Sequence, residues 1–561
     1  MTNAQQQVAY QVMWQRLISI VEEQAQALVR TAFSTSVREA GDLSAGVYDA
    51  QGRMIAQAVT GTPGHVNAMA AAVRHFIDAF AGDGMREGDI YLTNDPWLGT
   101  GHLHDITVVS PAFHGGRLIG FFACTAHVVD IGGRGFGADA ESVYEEGLYI
   151  PIMKLADRGV IDAPFVRLVR ANVREPDQVV GDIFALAACN DVGLARLATM
   201  LAEFALDDLC GIAEFVFTHS RRATLERINA LPRASASAQM TIDGYATPVT
   251  LSVQLRCEQD RVVCDFAGSS PIDKKGINVP LVYTQAYGCY ALKCAIAGDI
   301  PNNDASLAPF VISAPPDSIL NARHPAPVAL RHVIGHMIPD AVYGALDQIL
   351  PQTVPAEGAG TICNFQLSLR SAHGAQPTQV LAFNSGGGGA RPTLDGMNTT
   401  AFPSGVMTMP VEATEHTGPV VIWRKELRAD SGGAGQFRGG LGQYMEVGAL
   451  DGVEFDFSAM LDRVHHPARG RQGGGCGAAT EIGRADGKAM RGKGKQSVPA
   501  GQRVIMAFPG GGGYGDAAQR DRESVRQDLL LGYISRATAR DTYGLSDEEI
   551  EQVLNGAWTT G

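Results

Sequence analysis

Apolar residues recur at three- and four-residue spacing over residues 4–33, through VMWQRLISIVEEQAQALVRTAF, with no Gly or Pro among them. This pattern predicts one long helix. AGDLSAGVYDAQGRMIAQA then alternates polar and apolar positions, predicting a hairpin with its turn at AQG. HVNAMAAAVRHFIDAFAG returns to the helical period and predicts a helix stopped by Gly82. Two apolar runs, ITVVSPAF and RLIGFFACTAH, are joined by His114-Gly115-Gly116. Paired glycines supply the positive φ of a tight turn, so these runs predict a second hairpin. Residues 175–230 read as helical. From about residue 232 the pattern changes to strands, in AQMTIDGY, PVTLSVQLRCE and RVVCDFAGS. VYTQAYGCYALKCAIAG and IPDAVYGALDQILP predict two further helices. Beyond residue 360 the chain is rich in strands and glycine (SGGGGARP, DSGGAGQFRGGLG, PGGGGYGD), and its tail predicts two short helices. No repeat of 20–50 residues points to a solenoid.

With 561 residues, 45% of them hydrophobic and 19% charged, the chain can fill several cores and is too apolar for disorder. The formal charge of −14 argues against nucleic acid or anionic lipid as a partner, because phosphates require clustered Lys and Arg. The start MTNAQQQVAYQVMWQRL lacks a basic segment followed by an apolar core, and no stretch reaches 18 apolar residues, so neither a secretory signal nor a membrane span is expected. Nine scattered cysteines without a CxxC pair fit reduced thiols in a cytoplasm.

The second hairpin groups the chain's densest set of potential ligands. With the turn centred on Gly115–Gly116, cross-strand partners have numbers summing to about 231, so residue 104 faces about 127 and 105 about 126. His102, His104, Asp105 and His127 then meet at the open end of one ribbon. Imidazole nitrogen and carboxylate oxygen are the donor set for Zn²⁺, Mn²⁺ or Fe²⁺. The competing reading is a hairpin end with polar residues in water. A register slip of one residue would exchange His104 and Asp105, since alternate residues face opposite ways.

Other motifs carry less. His332 and His336 stand at i, i+4 but lack the Glu of HExxH, and His465-His466 reads as a loop pair. Neither GKGKQS nor any other segment makes a GxxxxGK[ST] P-loop, and there is no Gly-x-Ser-x-Gly elbow. The glycine runs read as tight β connections or, alternatively, as anion-binding nests.

Through REAGDLSAGVYDAQGRMIAQ, GDIYLTNDPWLGTGHLHDITVVSPAF, AHVVDIGG, EEGLYIPIMKL, NVPLVYTQAYGCYALKCAI, DSGGAGQFRGGLG and PGGGGYGDAAQRD, the chain resembles the hydantoinase B/oxoprolinase family. The match runs in one order from about residue 38 to about 545. The resemblance implies a divalent metal (Zn, Mn or Fe) held by Asp42, His102, Asp105 and His127, with His104 an extra residue where relatives often carry Pro. It also implies a hydrolase subunit that opens a lactam or hydantoin-type cyclic amide. ATP would be used by a separate A-type subunit with an actin-like fold, which phosphorylates the ring carbonyl oxygen, and the two would form a hetero-oligomer. Asp130 and Glu146, near His127 in sequence, are candidate general acids or bases. Two alternatives remain open: a subunit of an ATP-dependent ketone carboxylase of the acetone or acetophenone type, and a non-catalytic scaffold with a structural metal.

The expected architecture is α+β, a large multi-segment mixed α/β chain. Residues 1–230 form a metal-bearing α/β domain, 231–350 an α/β segment, 351–520 a β-rich glycine-loop region and 521–561 a helical tail.

Overall fold

Asp105–His114 and Arg117–His127 form the predicted glycine-turned hairpin, with Gly115 and Gly116 at φ 56° and 75°. In the computed structural model, which describes residues 3–82, 84–360, 362–370 and 377–556, this hairpin lies at the centre of a seven-stranded sheet. In chain order the strands are β1 (Leu43–Asp49), β2 (Met54–Gln57), β3 (Ile90–Thr93), β4 (Asp105–His114), β5 (Arg117–His127), β6 (Met153–Asp157) and β7 (Val160–Ile161). Their spatial order is β2-β1-β5-β4-β3-β6-β7, with every pair antiparallel.

The register departs from the expected one by one residue. Phe113 pairs with Leu118, as the turn dictates. An irregularity between Ala112 and Phe113 then adds one residue to β5, so Asp105 faces His127 and Ile106 faces Ala126. This extra residue puts Asp105, rather than His104, directly opposite His127.

Alternation sorts the sheet into two cores. Ala45, Val47, Ile106, Val108, Phe122 and Cys124 pack against helices Asn3–Thr31 and Pro176–Phe204. Tyr48, Val109, Phe121 and Ala123 pack on the other face beneath helix Pro63–Ala79, through its Val66, Met69, Val73 and Phe76. That helix ends before the predicted Gly82 stop, with Phe80 as its C-cap. Pro176–Phe204 is long and apolar enough to cross a membrane, and half of its most apolar window is buried inside the protein.

The chain divides into two compact units, residues 1–238 with 252–331, and residues 239–251 with 332–561. The expected 231–350 segment therefore contributes to both. Its helix Leu281–Ala297 packs on Pro63–Ala79 within the first unit, while Ile338–Ile349 belongs to the second.

In the second unit two four-stranded antiparallel sheets share one core. Phe365, Leu367, Phe455 and Phe457 come from one sheet, and Met445, Val447, Val504 and Met506 from the other. The glycine runs interlock backbone to backbone. The Gly440 amide donates to the Gly388 carbonyl, Gly511 to Gly440 and Gly433 to Gly511. Their amides are thus taken by neighbouring segments and are not turned outward as anion nests. A Cβ on Gly387 would stand 1.8 Å from the Gly440 carbonyl oxygen, so only glycine fits there. Gly387→Ala is expected to destabilise the second unit by at least about 1–3 kcal/mol, the usual cost of overpacking, read as a lower denaturation midpoint. The tail forms three short helices where two were expected, Arg522–Leu530, Arg536–Asp541 and Asp547–Gly556, around Val525, Leu529, Tyr543 and Ile550. Residues 557–561 of the expected tail lie outside the described residues.

Candidate metal centre

Asp42, just before β1, stands beside His127 at the end of β5 and Asp105 at the start of β4. Leu43 pairs with Ala126, and the His127 amide donates to the Asp42 carbonyl one step further along. His102 joins from the turn before β4. One donor atom each from His102, Asp105 and His127 lies within 4.8 Å of the others, and all three residues are buried. Asp42 reaches this group through a residue that the sequence reading passed over. His65, in the first turn of helix Pro63–Ala79, places Nε2 2.8 Å from Asp105 Oδ2 and Nδ1 3.7 Å from Asp42 Oδ1.

The hydrogen-bonding roles around His102 fix its tautomer. Nδ1 lies 2.8 Å from the Ala329 carbonyl, which can only accept, so Nδ1 carries the proton. Nε2 then presents a lone pair, yet it lies 2.7 Å from Asp105 Oδ1. A second proton on the ring is opposed by burial and by the Arg331 charge, which push the His102 pKa down to about 3 although Asp105 pulls the other way. His127 Nδ1 approaches the same carboxylate oxygen at 3.1 Å. Two imidazole nitrogens are thus gathered around one carboxylate oxygen at a buried point. The donor set fits a divalent cation.

Asp105 stays ionised. Burial alone would raise its pKa, but His102, His65 and Arg331 hold it well below the usual carboxylate range. Its Oδ2 also accepts from Thr100 Oγ1 at 2.8 Å and from Arg331 Nη2 at 2.5 Å. Arg331, likewise missed from the sequence, donates from Nε to the Thr100 carbonyl and lies 4.0 Å above the Tyr283 ring. Its position leaves little room for the backbone opposite: a Cβ on Gly101 would stand 2.5 Å from Arg331 Cδ.

The two candidate acid–base residues have other engagements. Asp130 forms an ion pair of 2.8 Å with Arg174 and also accepts from the Gly132 and Arg174 amides. Glu146 Oε1 accepts from the Val328 and Ala329 amides at 2.5 and 2.8 Å. It therefore meets His102 through residue Ala329, whose N–H donates to Glu146 and whose carbonyl accepts from His102 Nδ1. Burial pushes its pKa up to about 8, so its carboxyl is mostly protonated at neutral pH. Of the weaker motifs, His466 Nδ1 lies 2.8 Å from Asp243, and His332 and His336 are buried with their rings 5.6 Å apart.

A model of the hydantoinase B/oxoprolinase family matches residues 6–517. The B subunit of a putative D-/L-hydantoinase from Pseudomonas sp. (strain NS671) is 27% identical over 97% of this chain and 96% of its own. The crystal structure of an ATP-dependent caprolactamase from Pseudomonas jessenii shares the fold with a TM-score of 0.85, at 24% identity over 98% of both chains. A nucleotide-free acetone carboxylase structure shares it with a TM-score of 0.86, at 19% identity, over 98% of this chain and 83% of that one. The match to the family model spans nearly the whole length, including every residue of the Asp42–His65–His102–Asp105–His127 cluster, and on that ground the chain belongs to the hydantoinase B/oxoprolinase family.

Proposed function

We propose that this chain is the metal-dependent subunit that opens a cyclic amide of the lactam or hydantoin type, after an A-type partner has used ATP to phosphorylate the ring carbonyl oxygen. The observation that carries the reading is the gathering of His102 Nε2 and His127 Nδ1, 2.7 and 3.1 Å from Asp105 Oδ1, in a buried group whose donor atoms all lie within 4.8 Å of one another. A Zn²⁺, Mn²⁺ or Fe²⁺ ion held by His102, Asp105 and His127, with Asp42 alongside, supplies the Lewis acidity that makes water a nucleophile at neutral pH. The protein's own part is to hold these donors still. The Ala329 carbonyl keeps the proton on His102 Nδ1, so Nε2 stays a donor atom. Arg331 and Thr100 anchor Asp105 Oδ2, leaving Oδ1 to face the imidazoles. The Phe136 ring, 5.8 Å from His102 and 5.0 Å from His127, screens them from water. A relative named as the B subunit of a hydantoinase supports an obligate partner and hence a hetero-oligomer.

The test combines elemental analysis with an ATP-dependent ring-opening assay in the presence of the A-type partner. Hydantoin, 5-oxoproline and caprolactam serve as trial substrates. The wild-type chain is expected to hold about one divalent ion, and His102→Ala and His127→Ala to lose ion and activity together. Metal-free wild type, or variants active without metal, would overturn the reading and leave a scaffold. Strict dependence on bicarbonate would move the activity to carboxylation.

A further inference from the structure

His104 is the one member of the imidazole group that nothing above employs. It is 1% exposed, and neither Nδ1 nor Nε2 has a hydrogen-bond partner among the described residues. Leaving a buried polar atom without a partner costs about 1–3 kcal/mol, and here two such atoms sit on one ring. Native proteins keep such groups where an ion, a water or a ligand satisfies them. A water would need several polar partners of its own, yet the ring lies among Phe136, at 4.7 Å, and two other imidazoles.

Those imidazoles set the chemistry. The ring centroids of His102, His104 and His127 form a triangle with sides of 5.1, 5.5 and 5.6 Å. Two imidazoles on one tetrahedral cation, with metal–nitrogen bonds of about 2.0–2.1 Å, place their centroids roughly 5 Å apart. The triangle therefore has the dimensions of three imidazoles sharing one ion. His104 is not part of the tightest donor group, which comprises His102, Asp105 and His127. Its ring would have to turn about its side-chain torsions to ligate.

We propose that His104 supplies a third imidazole to the cation held by His102, Asp105 and His127, giving a nitrogen-rich site that favours Zn²⁺ or Co²⁺ over Mn²⁺. Nitrogen donors suit the former pair and oxygen donors the latter. The proposal rests on the cation reading given under Proposed function, and the test separates the two.

The experiment loads the full-length chain with Co²⁺ or Cu²⁺ alone and needs no substrate. Variants His104→Ala and His104→Phe are compared with wild type, Phe keeping the ring volume beside Phe136 without its nitrogens. Co²⁺ affinity is expected to fall by about 10–100-fold or more in both, with a changed visible absorption band. Pulsed EPR of Cu²⁺-loaded wild type is expected to count three imidazoles. Two imidazoles, or a folded His104→Phe variant with wild-type affinity and spectrum, would overturn the His104 proposal and leave the cation reading intact. Wild type that binds neither ion would overturn both. The imidazole count on wild type decides the matter even if the variants do not fold.

Discussion

Asp105→Asn is expected to abolish cation binding and to destabilise the first unit by about 3–5 kcal/mol, the cost of stranding a buried charge. The side chain differs from Asp only in charge and in one donor group, so the effect isolates electrostatics. Five groups converge on this carboxylate: His102 and His127 on Oδ1, and His65, Thr100 and Arg331 on Oδ2. Arg331 is 3% exposed, and Asp105 is the carboxylate it pairs with. An amide removes its counter-charge. In either orientation the –NH₂ also points a donor at groups that donate or that would bind metal. The pH dependence follows from the lowered pKa of Asp105. Its contribution is fully present above the unfolded carboxylate value of about 4 and is lost as pH falls towards the native value. The difference between wild type and variant should thus persist at neutral pH and narrow in acid. Denaturant titration, with hydrogen exchange at the β4 and β5 amides to locate the loss, measures the first effect, and elemental analysis the second. A variant with wild-type midpoint and exchange rates would show that Arg331 does not depend on this carboxylate.

How much of this centre was legible in the sequence depends on which interactions are local. The hairpin was legible because Gly115-Gly116 announces its own turn and the flanking runs are long. The facing pair was misread because one extra residue near Ala112 shifts everything beyond it, and no composition signal marks that bulge. Once the register is known, Asp42 follows from alternation: Leu43 faces Ala126, so Asp42 shares a face with His127. His65 was missed because it belongs to a helix. Only the packing of Pro63–Ala79 over that face brings it to Asp105, and a lone histidine at the start of an amphipathic helix gives no hint of this. The signal available was topological: a polar residue on the first turn of a helix whose other inward residues are apolar. Arg331 was hidden by its neighbours, because HVIGH drew attention to His332 and His336. The glycine runs were plain as composition, but the hydrogen bond from Gly511 to Gly440 joins residues far apart in sequence, and composition carries no pairing information. Closeness in sequence put Asp130 and Glu146 together beside His127, whereas their contacts lead to Arg174 and to the 328–329 turn.

That turn makes Glu146 the second site of large effect. Its carboxyl has a raised pKa, with burial as the main cause, and the Val328 and Ala329 amides pull only partly the other way. For an acid whose native pKa is about 8 against 4.5 when unfolded, the native state holds the extra proton at intermediate pH. Stability therefore falls as pH rises between the two values, by up to about 1.4 kcal/mol per unit, or about 3 kcal/mol by pH 7. Glu146→Gln keeps an oxygen acceptor for both amides and has no proton to lose. The variant should match wild type near pH 4 and exceed it increasingly from there up to pH 8. A difference that stays flat across that range would mean that Glu146 is ionised in the native chain. The Ala329 bond also links stability to the metal centre, because Ala329 donates its N–H to Glu146 and accepts from His102 Nδ1 through its carbonyl. Glu146→Ala removes that support and should weaken Zn²⁺ binding by about 10–100-fold, as losses behind a ligand commonly do. Glu146→Gln should leave Zn²⁺ affinity unchanged. That split, measured by chelator competition at pH 6, separates a residue that orients His102 from one that exchanges protons with substrate.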